Sequence, residues 1–154
     1  MKARIEYYKL APEGMKAMLA LESYLAKCGL DHKLLHMLKL RASQINGCAY
    51  CIDMHWKDAR AAGETEQRLY ALDAWEESPF YDDKERAALE WVEALTRLEG
   101  HVPDRVFDHV RSHFSEKEVV DLTFLGAVIN AWDRIAISMR SVPGIYQPRG
   151  ATHG

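Results

Sequence analysis

The sequence predicts an all-α domain, and three observations carry that expectation. Apolar residues recur at three- and four-residue spacing through most of the chain. Helix-start residues stand at the head of several of these stretches, including Asp31, Asp82 or Asp83, and the box Ser115-Glu116-Lys117-Glu118. No segment alternates apolar and polar residues as a half-buried strand does.

About six to seven helices follow in order. Met15, Met18, Leu19, Leu21 and Leu25 form a stripe from Pro12 to about Cys28, with Gly29 as its stop. Asp31 caps a second helix carrying Leu34, Leu35, Leu38, Ala42 and Ile45, which the Asn46-Gly47 turn signal ends. A third starts near Cys48 and stops at Gly63, and a short one runs from Thr65 to about Trp75. Glu77-Ser78-Pro79 interrupts the pattern. Asp82 or Asp83 opens the next helix, which ends before Gly100, and Pro103 suits the first turn of a brief one with Val106, Phe107 and Val110. The Ser115 box opens the last helix, through Leu122, Leu125, Ile129, Trp132 and Ile135 to Pro143-Gly144.

Composition bounds the class. The chain has 154 residues, 48% of them hydrophobic and 28% charged, which suits one globular domain. No Pro/Gly-rich linker divides it, so residues 1–148 are expected as a single domain and 149–154 as a loose C-terminal tail. Twenty Lys+Arg against twenty-three Asp+Glu leave a net charge of -3. That balance gives no footprint for nucleic acid or for a membrane surface. Met1 to Glu6 lacks the apolar stretch of a secretory leader, and no apolar run is long enough to cross a bilayer, so the expected compartment is the cytoplasm.

The chemistry concentrates at Cys48, Cys51 and His55. On a helix these positions lie within roughly 60° of one another, so the side chains share a face. The pair sits in the first turn after Asn46-Gly47, where free N–H groups and the helix dipole favour a thiolate over a thiol of pKa about 8.5. Cysteines one turn apart can close a disulfide with little backbone movement, and His55 can exchange a proton with a thiolate. A Cys₂His₂ zinc site with His32 or His36, or two inert packed cysteines, are the alternatives. Finger spacing does not match, and the core needs no metal to fold. Cys28, on an apolar stripe, reads as a core residue. Trp75, Trp91 and Trp132 read as core or subunit contacts, Met15 and Met18 as packing, His101, His109 and His113 as solvated, and Asp133-Arg134 as an interface ion pair.

The stretch from Leu38 through Arg41-Ala42-Ser43-Gln44-Ile45-Asn46-Gly47-Cys48-Ala49-Tyr50-Cys51-Ile52-Asp53-Met54-His55 resembles the core motif of AhpD-like alkylhydroperoxidases, of the carboxymuconolactone decarboxylase superfamily. The likeness continues through Ala59 to Thr65, Leu72 to Trp75 and Ile129 to Arg134. It implies an all-helical fold assembled as a trimer or hexamer, and reduction of organic hydroperoxide or hydrogen peroxide. It further implies that Cys51 attacks the peroxide, that Cys48 resolves the sulfenic acid, and that His55 relays protons. An external thiol, in some members a lipoyl-bearing protein, re-reduces the disulfide, and no cofactor is called for. General helix-start reasoning instead makes Cys48 the outer, more exposed sulfur and the better thiolate. With Cys51 peroxidatic, Cys48 becomes the sulfur reached by the external thiol. Twelve residues before Cys48 the resemblance expects a Glu, and the chain has His36, either a replacement base or a surface histidine. Two other functions stay open: a non-redox decarboxylase-like enzyme, and a CxxC redox sensor without turnover.

Overall fold

The computed structural model describes residues 1–148, and the expected tail at 149–154 lies outside them. Among the described residues all regular structure is helical: α1 (Tyr7–Leu10), α2 (Pro12–Leu25), α3 (His32–Asn46), α4 (Ala49–Ala61), α5 (Glu66–Tyr70), α6 (Asp83–Arg97), α7 (Asp104–His113) and α8 (Glu116–Met139), with a 3₁₀ turn at Leu72–Ala74. No helix among them is long and apolar enough to cross a membrane.

Side-chain caps fix most of the starts. Asp31 accepts the Leu34 amide, Thr65 that of Arg68, and reciprocal boxes join Asp82 to Glu85 and Ser115 to Glu118. Helix ends differ from expectation where a non-glycine residue does the stopping. Arg140, at φ 57°, ends α8 ahead of Pro143-Gly144, with the Ser141 amide turned back onto the Ala136 carbonyl. α2 ends at Leu25, and Cys28 sits in the following turn, half-buried against the edge of the core. The helix expected over 65–75 is broken at Ala71 into α5 and the 3₁₀ turn. α1 adds an element too short to show a periodic stripe.

α3 is the centre, packed by α4, α6 and α8. That explains why its burial runs round the helix: Leu34, Leu35, Met37, Leu38, Leu40 and Ala42 are joined inside by Lys39, Arg41 and Ser43. Lys39, Arg41 and Ser43 are each matched, as their desolvation requires. Lys39 pairs with Glu22 on α2, and Ser43 donates to Asp133 on α8. Arg41 meets Glu93 at 2.5 Å and also pairs with Asp73. Glu93 takes further bonds from the Trp75 indole at 2.8 Å and from Arg97 at 2.8 Å.

Candidate active site

Gly47 closes α3 in the left-handed region at φ 70°, and the Cys48 amide bonds back to the Ser43 carbonyl at 3.0 Å. This sharp break delivers Cys48 as the N-cap of α4, its sulfur accepting the Cys51 amide at 3.4 Å. The two sulfurs are joined as a disulfide, with the Cα atoms 5.3 Å apart. Ala136 of α8 packs over the pair. Cys48 is not the more exposed sulfur: each cysteine is 1% exposed. The difference between them is that Cys51 faces a cavity and Cys48 does not.

A cavity of about 260 Å³ opens beside α4, and its wall includes Cys51 but not Cys48. Tyr7, Tyr8, Met15, Leu19, Tyr50, Met54, Trp132 and Ala136 make it apolar; His36, His55 and Asp58 supply its chemistry, with the Lys39–Glu22 pair alongside. Met15 and Trp132 therefore line a site as well as packing. The indole N–H of Trp132 donates to Glu22 at 3.0 Å, which fixes the ring.

His36 is not a freely exposed histidine. Its side chain is 24% exposed, and its ring centroid lies 6.1 Å from that of His55. His55 is 4% exposed, and neither of its ring nitrogens has a hydrogen-bond partner among the described residues; Nδ1 of His36 is likewise without one. Oδ2 of Asp58 faces both rings, 4.0 Å from His36 Nδ1 and 3.9 Å from His55 Nδ1, while its Oδ1 accepts from the Tyr146 hydroxyl at 2.7 Å. Burial first, then the Lys39 ammonium, pushes His36 down to about 4 and His55 well below its usual 6.5. Both imidazoles are therefore neutral at neutral pH. Burial raises Asp58 above the usual carboxylate range, and raises the Tyr50 phenol as well. The ligand atoms of His36, His55 and Asp58 fall within 4.8 Å of one another, so this triad could hold a divalent cation, whereas a Cys₂His₂ set with His32 or His36 is not assembled.

Segments before α2 and after α8 flank the site. The Arg4 amide bonds the Met139 carbonyl, and Tyr7 and Tyr8 share a 2.8 Å hydroxyl contact at the rim. Beyond α8, Gly144 donates to Asp53 and the Tyr146 carbonyl accepts from Lys57, tying this segment to α4. Away from the site, His109 pairs with Glu90 at 2.7 Å, more engaged than a merely solvated residue.

Sequence reasoning missed Asp133. It does not pair with Arg134, because consecutive helical residues diverge by about 100°. Arg134 bonds to Asn130 instead, while Asp133 points inward to Ser43 and Asn46, beside the cysteines. A buried carboxylate in the second half of an otherwise apolar helix was the available signal.

Fold and site together define a helical domain with a cysteine pair capping a helix at the wall of an apolar cavity. The chain belongs to the carboxymuconolactone decarboxylase family, in its AhpD-like form: residues 12–94 match that family. It is 47% identical over 140 residues to the uncharacterized protein YdfG of Bacillus subtilis, covering 90% of this chain and 95% of that one. A crystal structure of ATU0492 from Agrobacterium tumefaciens, a protein of unknown function suggested to be the antioxidant defence protein AhpD, superposes with a TM-score of 0.90 at 46% identity, over 94% of this chain and all of that one. An uncharacterized peroxidase-related protein from Ralstonia eutropha shares the fold at 19% identity, with a TM-score of 0.81 over 90% of this chain and 75% of its own.

Proposed function

We propose that this protein is a thiol-dependent hydroperoxide reductase. The observation that carries the reading is the Cys51 sulfur at the wall of an apolar cavity whose other reactive groups are two neutral imidazoles. In the reduced protein, the α4 N-terminus favours the Cys51 thiolate, and His55 or His36 accepts its proton. The thiolate attacks the O–O bond of an organic hydroperoxide; the alcohol leaves with that proton, and Cys51 becomes a sulfenic acid. Cys48 then displaces hydroxide, which departs as water, and the disulfide closes. The apolar walls favour an alkyl or aryl hydroperoxide over hydrogen peroxide.

Recycling needs an external dithiol. Because Cys51 faces the cavity and Cys48 does not, the geometry supports attack by the donor thiolate on Cys51, in place of the Cys48 expected once the resemblance makes Cys51 peroxidatic. A lipoyl group, slender and largely apolar, suits that entrance. Assembly as a trimer or hexamer fits the exposed apolar strip of Tyr24, Val120 and Phe124, where Tyr24 and Phe124 meet edge-on at 6.4 Å; light scattering in solution reads the assembly directly.

The function is tested by a thiol count with intact mass on reduced protein, before and after one equivalent of cumene hydroperoxide. Loss of two thiols and two hydrogens is expected, with the response abolished in Cys51→Ser. Unchanged thiols after prolonged exposure would overturn the reading and bring the non-redox alternative forward.

A further inference from the structure

The reaction outlined above leaves one buried ionisable group beside the sulfurs unused. Asp133 is 0% exposed. Its Oδ1 accepts from the Ser43 hydroxyl at 2.9 Å and its Oδ2 from the Asn46 amide at 2.7 Å. Its carboxylate and the sulfurs of Cys48 and Cys51 lie within 4.8 Å of one another, close enough for a proton to pass between them. No cation pairs with it among the described residues. Arg134, next in sequence, is turned to Asn130 and lowers it only from a distance. The groups facing Asp133 are thus Ser43 and Asn46 from α3, Cys48 and Cys51 from the start of α4, and Arg134 on its own helix. A buried carboxylate with two neutral donors and no counter-ion is costly as structure alone. Beside a dithiol it has a use.

We propose that Asp133 is the proton exchanger of Cys48, taking the thiol proton as the disulfide closes and returning it when the disulfide opens. This rests on reading Cys48–Cys51 as a redox pair, and deepens it. During closure Cys51 carries a leaving group, hydroxyl or an external sulfur. The Cys48 proton passes to the Asp133 carboxylate, and the Cys48 thiolate attacks the Cys51 sulfur. The sulfur–sulfur bond forms as the leaving group departs with its electron pair and takes a proton from solvent. During opening an external thiolate attacks Cys51 from the cavity, and the Cys48 sulfur leaves with the bonding pair. The Asp133 carboxylic acid protonates it. A second donor thiol then releases Cys51, the donor is oxidised, and Asp133 is again a carboxylate, ready for the next closure. Burial, which raises Asp133 above the usual carboxylate range, makes it a competent acid closer to neutral pH.

The test is the rate of disulfide opening by dithiothreitol between pH 5 and 9, divided by the attacking thiolate concentration, in the full chain. In the wild type this corrected rate should be highest at low pH and fall as Asp133 ionises. Asp133→Asn should give a flat profile, about tenfold or more slower at low pH. Ser43→Ala removes one hydrogen bond to the charged form, so the inflection should move to higher pH; this variant decides the matter where Asp133→Asn does not fold. A wild-type profile flat with pH, an Asp133→Asn profile matching the wild type, or an inflection unmoved in Ser43→Ala would overturn the assignment. Because no peroxide enters this assay, failure of the wild type to react with cumene hydroperoxide would overturn the peroxidase reading alone.

Discussion

Acidification tests the burial of His36 and His55 more directly than any activity assay. Both folded-state pKa values lie below the unfolded value of 6.5, His36 at about 4 and His55 well down. Below 6.5 the unfolded chain takes up protons that the folded chain refuses. The stability these neutral rings allow is therefore present above pH 6.5 and lost as pH falls through it. By pH 5 a histidine still neutral in the fold has forfeited about 2 kcal/mol, so the two together forfeit about 4 kcal/mol. Against a typical total of about 5–15 kcal/mol, that loss is large. Asp58 and Asp133 act in the opposite sense, because burial raises both and the folded state gains their protons first. Comparing variants cancels most of their effect. Urea unfolding at pH 7.5, 6.5 and 5 should show His55→Leu losing about 2 kcal/mol less than the wild type over that range, roughly 1 M in midpoint. At pH 7.5 the same variant should be more stable by about 1–3 kcal/mol, since it removes two ring nitrogens buried without partners. Parallel pH slopes for the two proteins would show that His55 is not held neutral by its burial.

Ala136 packs on the cysteines and lines the cavity, so Ala136→Leu should raise KM for cumene hydroperoxide about tenfold while changing hydrogen peroxide turnover little; equal effects on both would remove the cavity from the substrate path. Arg41→Ala takes one charged partner from buried Glu93, leaving it Arg97 and the Trp75 indole, and should cost about 1.5–3 kcal/mol, lowering Tm by roughly 5 °C; a loss under about 0.5 kcal/mol would show the network to be dispensable.

Local signals in the sequence were strong where one residue decides an outcome. Asp31, Asp82 and Ser115 cap as their side chains dictate, and Asn46-Gly47 breaks the chain ahead of Cys48. The helical periodicity carried the all-α class for the same reason. Boundaries failed where the stop was not glycine, as at Arg140, because nothing in a side chain announces a left-handed cap there. Within the candidate site, Cys48, Cys51 and His55 were legible through spacing on a single helix. His36 was visible only as a departure from a motif, and Asp58 was not singled out. Asp133 was misread because its partners lie some ninety positions away, on a helix that only tertiary packing brings alongside. Which sulfur meets the cavity is a property of that packing too.

The cavity's walls have a consequence for the order of synthesis. Tyr7 and Tyr8 leave the ribosome ahead of the cysteines, and Tyr146, which anchors Asp58 from behind, follows well after them. The reactive centre thus cannot take its final shape until α8 and the segment carrying Tyr146 have been made. Until then both thiols travel on a nascent chain without their shelter, open to any oxidant or thiol nearby. A ribosome stalled before α8 would hold a dithiol with neither its proton exchanger nor its lid of Ala136 and Trp132.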